Sequence, residues 1–342
     1  MTQPTPALSP VTVASQVAAE PVAEVSVRRF VEAFELDCLA FRDDAAARAA
    51  GHDRRIAPWS MAMIAAMPAY WNPGDPPLGD GFSPPYAWDC VDLPGSEMMS
   101  TKIELAFGRP LRIGDLLHSQ YQVVRVIPKR TRVGAGNFID FEVRLTDQSG
   151  GLVAVERSTV FRYTPAEAPS APGAPRAQQG GRSGFQTPAD ARATGPDASI
   201  GQHTFHLSLQ RLIMCSAASR DFAASHIIDE AALAGGAPRA YADMNFALAM
   251  VEKLLLRWAG PALRVHRLGP LDIRGFVLAG MDVTTSGSVL AETPCQQSGR
   301  LDITVSITMS QPDGRTPVIG QAQACVPEDV WAGLSRPAEK SA

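Results

Sequence analysis

Cysteine is scarce and unpatterned in this chain of 342 residues. The five present, Cys38, Cys90, Cys215, Cys295 and Cys325, include no C-x-x-C pair. That scatter argues against a disulfide framework or a zinc finger and fits reduced thiols in a cytoplasm. No basic residue precedes Arg28, so the N-terminus lacks the charged start of a secretory signal and the arginines of a mitochondrial presequence. Long apolar runs are missing too: the longest candidates carry Arg, Lys or Glu, which excludes an ordinary membrane-spanning helix. Nor is there an excess of positive charge. The formal net charge is −4, which gives no electrostatic reason to expect a nucleic-acid partner. A cytoplasmic protein with neither membrane nor nucleic acid as partner is expected.

What is present is ordinary for a globular protein: 45% hydrophobic and 19% charged residues. The length suggests two domains, each able to hold its own core. Between them, residues 164–201 ("TPAEAPSAPGAPRAQQGGRSGFQTPADARATGPDASIG") are dominated by Pro, Ala, Gly and Gln. Such a stretch buries too little apolar surface to offset its ordering entropy and reads as a mobile linker. Residues 1–24 read as a disordered tail for the same reason, and 333–342 as a second tail. The two domains are then 25–163 and 202–332.

Both blocks show the same order of elements. In the first, "VSVRRFVEAFEL" puts Val27, Phe30, Val31 and Phe34 on one helical face. A short helix, "DDAAARAAG", follows, capped by Asp43 or Asp44 and stopped by Gly51. The apolar "APWSMAMIAAM" predicts a buried helix, and after a Pro/Gly-rich insertion (Asn72–Gly95) four strand patterns appear. The second block repeats this with "LSLQRLIMCSAAS", "DEAALAGG" and the long apolar "MNFALAMVEKLLLRWAG", then three or four strands. Gly114 corresponds to Gly280. Helices followed by a run of strands, twice, argue for α+β, each antiparallel sheet covering one buried helix.

Within the second block, "SRDFAASHIIDEA" sets Asp221 five residues before His226. On a continuous helix these residues point about 140° apart. They meet only if the helix stops near Asp221 and the chain turns. Taken alone, the pair reads first as a helix-capping or helix-terminal aspartate and an ordinary partly buried imidazole.

The duplicated order resembles the double hot-dog fold of MaoC-like hydratases and dehydratases, in which two antiparallel sheets each wrap around a long central helix. "RDDAAARAAGHDRRIAP" and "RPLRIGDLL…VVRV" are similar to the family's N-terminal dehydratase-like domain. "SAASRDFAASHIIDEAALAGGAPRAYADMNFALAMVEKLLLRWAG" resembles the hydratase domain of R-specific enoyl-CoA hydratases. The family's catalytic Asp and His match Asp221 and His226, with Phe222 retained. Its Asn and Pro positions are Ala223 and Ala224 here. The aspartate often found two residues after the histidine is Ile228, and Asp229 matches an acidic position one further on. The family glycine whose amide donates to the thioester carbonyl falls near Met244.

The resemblance implies interconversion of a 2-enoyl thioester, CoA or carrier-bound, and its (R)-3-hydroxyacyl thioester. Asp221 and His226 would exchange protons at C2 and C3, and the Met244 N–H would hold the thioester oxygen. No metal or redox cofactor is expected, and His203 and His206 have no carboxylate or cysteine at ligand spacing. The first block has Leu36 and Phe41 at the matching positions, so it is expected to be non-catalytic. Tyr70, Trp71, Tyr86 and Trp88 in the insertion are candidates to line an acyl tunnel. Arg130, in the basic stretch "RVIPKRTRVG", is a candidate for the CoA phosphates. A homodimer is expected by fold analogy. Two alternatives stay open: a thioesterase on the same fold, and a non-catalytic acyl-binding partner subunit of another hydratase.

Overall fold

The computed structural model describes residues 11–79, 91–131, 133–165, 199–296 and 299–334. The first half begins with strand β1 (Val11–Val17) and helix α1 (Glu24–Phe34). Val27, Phe30, Val31 and Phe34 are buried on one stripe of α1, as their spacing predicts. After a 3₁₀ turn (Leu39–Phe41) comes α2 (Asp44–Ala49). It is capped by Asp43, whose carboxylate accepts the Ala46 N–H. A second 3₁₀ turn (Trp59–Met61) runs into α3 (Ala62–Ala65), and the strands β2 (Glu97–Phe107), β3 (His118–Arg130), β4 (Gly134–Thr146) and β5 (Leu152–Pro165) follow.

The second half repeats the plan. It comprises β6 (Ser199–Leu207), α4 (Leu209–Ser219), a 3₁₀ turn (Ala224–His226), α5 (Asp229–Ala234) and the long α6 (Met244–Ala259). Strands β7 (Arg264–Ile273), β8 (Met281–Pro294), β9 (Arg300–Ser310) and β10 (Val318–Pro327) complete it, with α7 (Glu328–Leu334) behind. An offset of 185 residues, as between Glu24 and Leu209, carries the whole helical segment of the first half onto that of the second.

All strands join one antiparallel sheet in the order β1-β3-β4-β5-β2-β7-β10-β9-β8-β6. The two halves meet where β2 pairs with β7, so the two expected sheets are a single continuous one. α6 lies in the core, with Phe246, Leu248, Met250, Val251 and Leu255 fully buried. Each such side chain contributes about 1.5–3 kcal/mol relative to exposure.

Three expectations need correction. The tail predicted through residue 24 includes β1, which pairs with β3 from Val11↔Val123 to Val17↔His118; an edge strand gains its order from its partner rather than from its own composition. The linker gives way to β6 at Ser199, again a strand held by its neighbour, β8. The buried helix predicted in the first half shrinks to the turn at Trp59–Met61 plus the four residues of α3. Pro68 stops it, because proline disfavours helical geometry in the residue before it. Residues 18–24 lead from β1 into α1, with Ala18 and Val22 buried, and the predicted C-terminal tail begins inside α7. Residues 1–10, 166–198 and 335–342 lie outside the described residues. Among the described residues, no helix is long and apolar enough to cross a membrane.

Candidate active site

The chain does turn at Asp221. α4 ends at Ser219, and Arg220 takes the left-handed conformation at φ 54°. That conformation is costly for a non-glycine residue and needs support from its surroundings. Support is present. The Arg220 guanidinium donates to the carbonyls of Met67 and Pro68 and lies over the Tyr70 ring, 4.3 Å from its centroid. The Tyr70 hydroxyl donates back to the Arg220 carbonyl at 2.7 Å. Burial pushes this phenol up to about 12, so it remains a donor at any physiological pH. Beyond the turn, Asp221 accepts the Ala223 N–H at 3.3 Å, and the 3₁₀ turn brings His226 back.

His226 Nε2 lies 3.8 Å from Asp221 Oδ2, and both side chains are 12% exposed. His226 Nδ1 is 2.7 Å from the Tyr241 carbonyl oxygen. A carbonyl can only accept, so Nδ1 carries the proton and Nε2 presents its lone pair toward Asp221. The Tyr241 ring meets the imidazole edge-on, with centroids 4.9 Å apart. It restricts ring rotation.

Met244 opens α6, whose N-terminus is the positive end of the longest helix in the fold. The helix is capped by Asp243, a residue the sequence reading passed over although an Asp before an apolar helix is a recognised start signal. Its Oδ1 accepts the Phe246 N–H at 2.8 Å, which leaves the Met244 amide outside the capping bond. Asp243 Oδ2 lies 2.7 Å from Ser219 Oγ. Burial pushes the Asp243 carboxyl above the usual carboxylate range, Asp221 pushes the same way, and His226 opposes. The Ser219 hydroxyl also lies 3.0 Å from the Cys215 carbonyl. The Ser219 hydroxyl donates to Asp243 Oδ2 at 2.7 Å, a bond that favours the ionised carboxylate and works against the effect of burial. A neutral Asp243 would not compete with negative charge gathering at the Met244 amide.

The matching place in the first half is filled differently. Trp59 is the counterpart of Met244, and its N–H donates to Glu252 Oε1 at 2.9 Å. The Ser60 N–H and hydroxyl donate to Glu252 Oε2. The side chain of the second half's helix therefore occupies the donors that begin the first half's shortened one. Leu36 and Phe41 stand where Asp221 and His226 do, and both are buried in the core.

The remaining candidates separate. Tyr70 is at the site, meeting Phe222 edge-on at 6.3 Å. Trp71 is 45% exposed and its Nε1–H donates to the Asp75 and Pro76 carbonyls, a contact internal to its own loop. Tyr86 and Trp88 lie outside the described residues. Arg130 is exposed at the end of β3, opposite Ala135. Asp229 accepts the Ala240 N–H, a bond that fixes the loop leading to α6. A cleft of about 610 Å³ lies elsewhere, lined by Trp59, Phe107 and His266 among others but by neither Asp221 nor His226.

A duplicated arrangement of strands over a buried helix defines a double hot-dog fold, and a carboxylate and an imidazole face each other before that helix. Comparison with known proteins agrees. Residues 9–156 match the FAS1-like dehydratase domain region. A probable enoyl-CoA hydratase alpha subunit of Thermomonospora curvata is 31% identical over 147 residues, 43% of this chain and 46% of that protein; the match thus spans about half the length of that relative. A UPF0336 protein of Saccharopolyspora erythraea is 30% identical over 149 residues, 43% of this chain and 85% of that one. Among solved structures, a MaoC-like dehydratase superposes with a TM-score of 0.65 at 18% identity, covering 92% of this chain and 98% of its own. The chain has the double hot-dog fold of the MaoC-like dehydratases, and its first half is related to the FAS1-like dehydratase region.

Proposed function

We propose that this protein is a hydratase or dehydratase that interconverts a 2-enoyl thioester and its 3-hydroxyacyl thioester. The observation that carries the reading is the meeting of His226 Nε2 and Asp221 Oδ2 at 3.8 Å, with Nδ1 committed to the Tyr241 carbonyl. In the hydration direction, His226 Nε2 accepts a proton from water held between the two side chains while the water oxygen bonds to C3. Electron density moves to the thioester oxygen, where the Met244 amide and the helix end offset it. A proton delivered from the pair to C2 restores the thioester carbonyl. Dehydration runs through the same groups in exchanged roles.

The (R) hand and CoA as carrier come with the family likeness, as does a homodimer. Exposed apolar side chains on α4, Leu209 and Ile213, favour contact with a second copy. The first half serves as a wall that positions Arg220 through Met67, Pro68 and Tyr70. The alpha-subunit name of the Thermomonospora relative favours a second reading, in which turnover requires a further subunit.

A spectrophotometric screen of enoyl-CoA thioesters tests the proposal. Loss of enoyl absorbance with formation of a 3-hydroxyacyl product is expected. Release of free CoA with no change in enoyl absorbance would mark a thioesterase instead. Thioester binding without turnover by the chain alone would favour the two-subunit reading.

A further inference from the structure

The strands of the second half assemble a second cluster of chemically capable side chains, away from the acid–base pair. Cys325 on β10 faces Asp302 across the β10–β9 ladder and Arg264 across the β10–β7 ladder. His266 is two residues beyond Arg264 and so lies on the same face. Cys295 follows β8, and its N–H donates to the Arg300 carbonyl, which folds it back over β9. One ligating atom from each of His266, Cys295, Asp302 and Cys325 lies within 4.8 Å of all the others. The two sulfurs are 3.4 Å apart, and His266 Nε2 is 3.1 Å from Asp302 Oδ1.

We propose that His266, Cys295, Asp302 and Cys325 bind a zinc ion. Tetrahedral zinc, with bonds of about 2.3 Å to sulfur and about 2.0–2.1 Å to nitrogen or oxygen, separates its ligands by about 3.3–3.8 Å. The sulfur–sulfur separation of 3.4 Å and the His266–Asp302 separation of 3.1 Å come within a few tenths of an ångström of that. The remaining pairs, all within 4.8 Å, need side-chain shifts of at most about 1 Å to close on the ion. Two thiolates select zinc over the hard cations magnesium and calcium. Charge balances as well. Two thiolates, a carboxylate and a neutral imidazole around Zn²⁺ leave one negative charge, and Arg300 Nε donates to Cys325 Sγ at 3.0 Å to offset it. Access is provided by the half-exposed His266 and Asp302, which with Cys295 line the 610 Å³ cleft. Four protein donors leave no open position, so the ion would be structural, tying β7, β9 and β10 to the end of β8. The sequence hides the set because its members are scattered over four strand segments rather than spaced as a finger.

Metal titration of the full chain, purified under reducing conditions and stripped with a chelator, tests this. One equivalent of Zn²⁺ should bind, and Co²⁺ should give thiolate-to-cobalt charge transfer with strong tetrahedral visible bands that zinc abolishes. Cys295→Ser and His266→Ala alter accessible residues, which spares the core. Each should weaken binding at least about 100-fold and remove the rise in Tm that zinc produces in the wild type. Absence of the cobalt bands, binding indifferent to both variants, or a Cys295–Cys325 disulfide as the form isolated under reducing conditions would overturn the proposal.

Discussion

The Trp59 amide donates to the buried carboxylate of Glu252, 2.9 Å away across the two halves of the molecule. Its counterpart Met244 begins a full-length helix whose capping bond goes past it to Phe246. One duplicated element thus ends as a plugged turn in the first half and an open helix tip in the second. Glu252→Ala would strand the Trp59 and Ser60 donors in the core. The expected cost is about 2–4 kcal/mol, measured by denaturant unfolding.

Glu252 also sets a pH dependence. Burial outweighs its three donors and pushes it up to about 7, above its ordinary 4.5. The folded state therefore binds the proton more tightly than the unfolded state. The associated stability is fully present below pH 4.5 and is lost as pH rises through 7. Glu252→Gln should flatten that decline, so the stability difference between variant and wild type should change across this window and level off outside it.

For the reactive pair, Asp221→Asn and His226→Ala should each lower kcat by about 10²–10⁴-fold. Because the two groups act as a unit, the double variant should be little worse than the poorer single one. Multiplying losses would indicate independent roles. Circular dichroism and Tm of the variants separate loss of chemistry from loss of fold.

Tyr70→Phe removes the hydroxyl that holds the Arg220 carbonyl while keeping the ring beneath the guanidinium. The loss should be about 1 kcal/mol of stability, with kcat falling more than KM rises, because the turn carrying Asp221 loosens. Equal stability with unchanged kcat would show that Arg220 holds its strained conformation unaided.

Asp243→Asn tests whether that carboxyl is neutral in the working enzyme. A protonated Asp243 predicts that the amide retains most of the wild-type kcat near neutrality. It also predicts loss of the alkaline decline that ionisation of a carboxyl raised by burial and by Asp221 would impose. Asp243→Ala, which removes the cap, should cost about 0.5–2 kcal/mol. A kcat collapse in the asparagine variant with the fold intact would mean that the carboxylate charge itself is required.

Much of this arrangement was legible before any coordinates. The stripe of Val27, Phe30, Val31 and Phe34 marks a helix face because burial at that period has one solution, and the apolar run from Met244 marks the core helix in the same way. The pairing of Asp221 with His226 was visible as residue types. Their approach depends on a left-handed Arg220 anchored some 150 residues away at Met67 and Pro68, which no local pattern encodes. β1 and β6 escaped because edge strands take their order from the ladder beside them. The shortness of α3 did carry a local signal in Pro68, whereas the filling of its first donors by Glu252, far along the chain, did not. Asp243 did carry a local signal as a helix cap, but its closeness to the reactive pair is a property of the fold.

The most direct test of the central claim is steady-state hydration of a short enoyl-CoA such as crotonyl-CoA by the purified chain, beside the Asp221→Asn/His226→Ala double variant. The account predicts saturable formation of the 3-hydroxyacyl thioester by the wild type and a loss of at least about 100-fold in the double variant. Undiminished turnover by a folded double variant would contradict it.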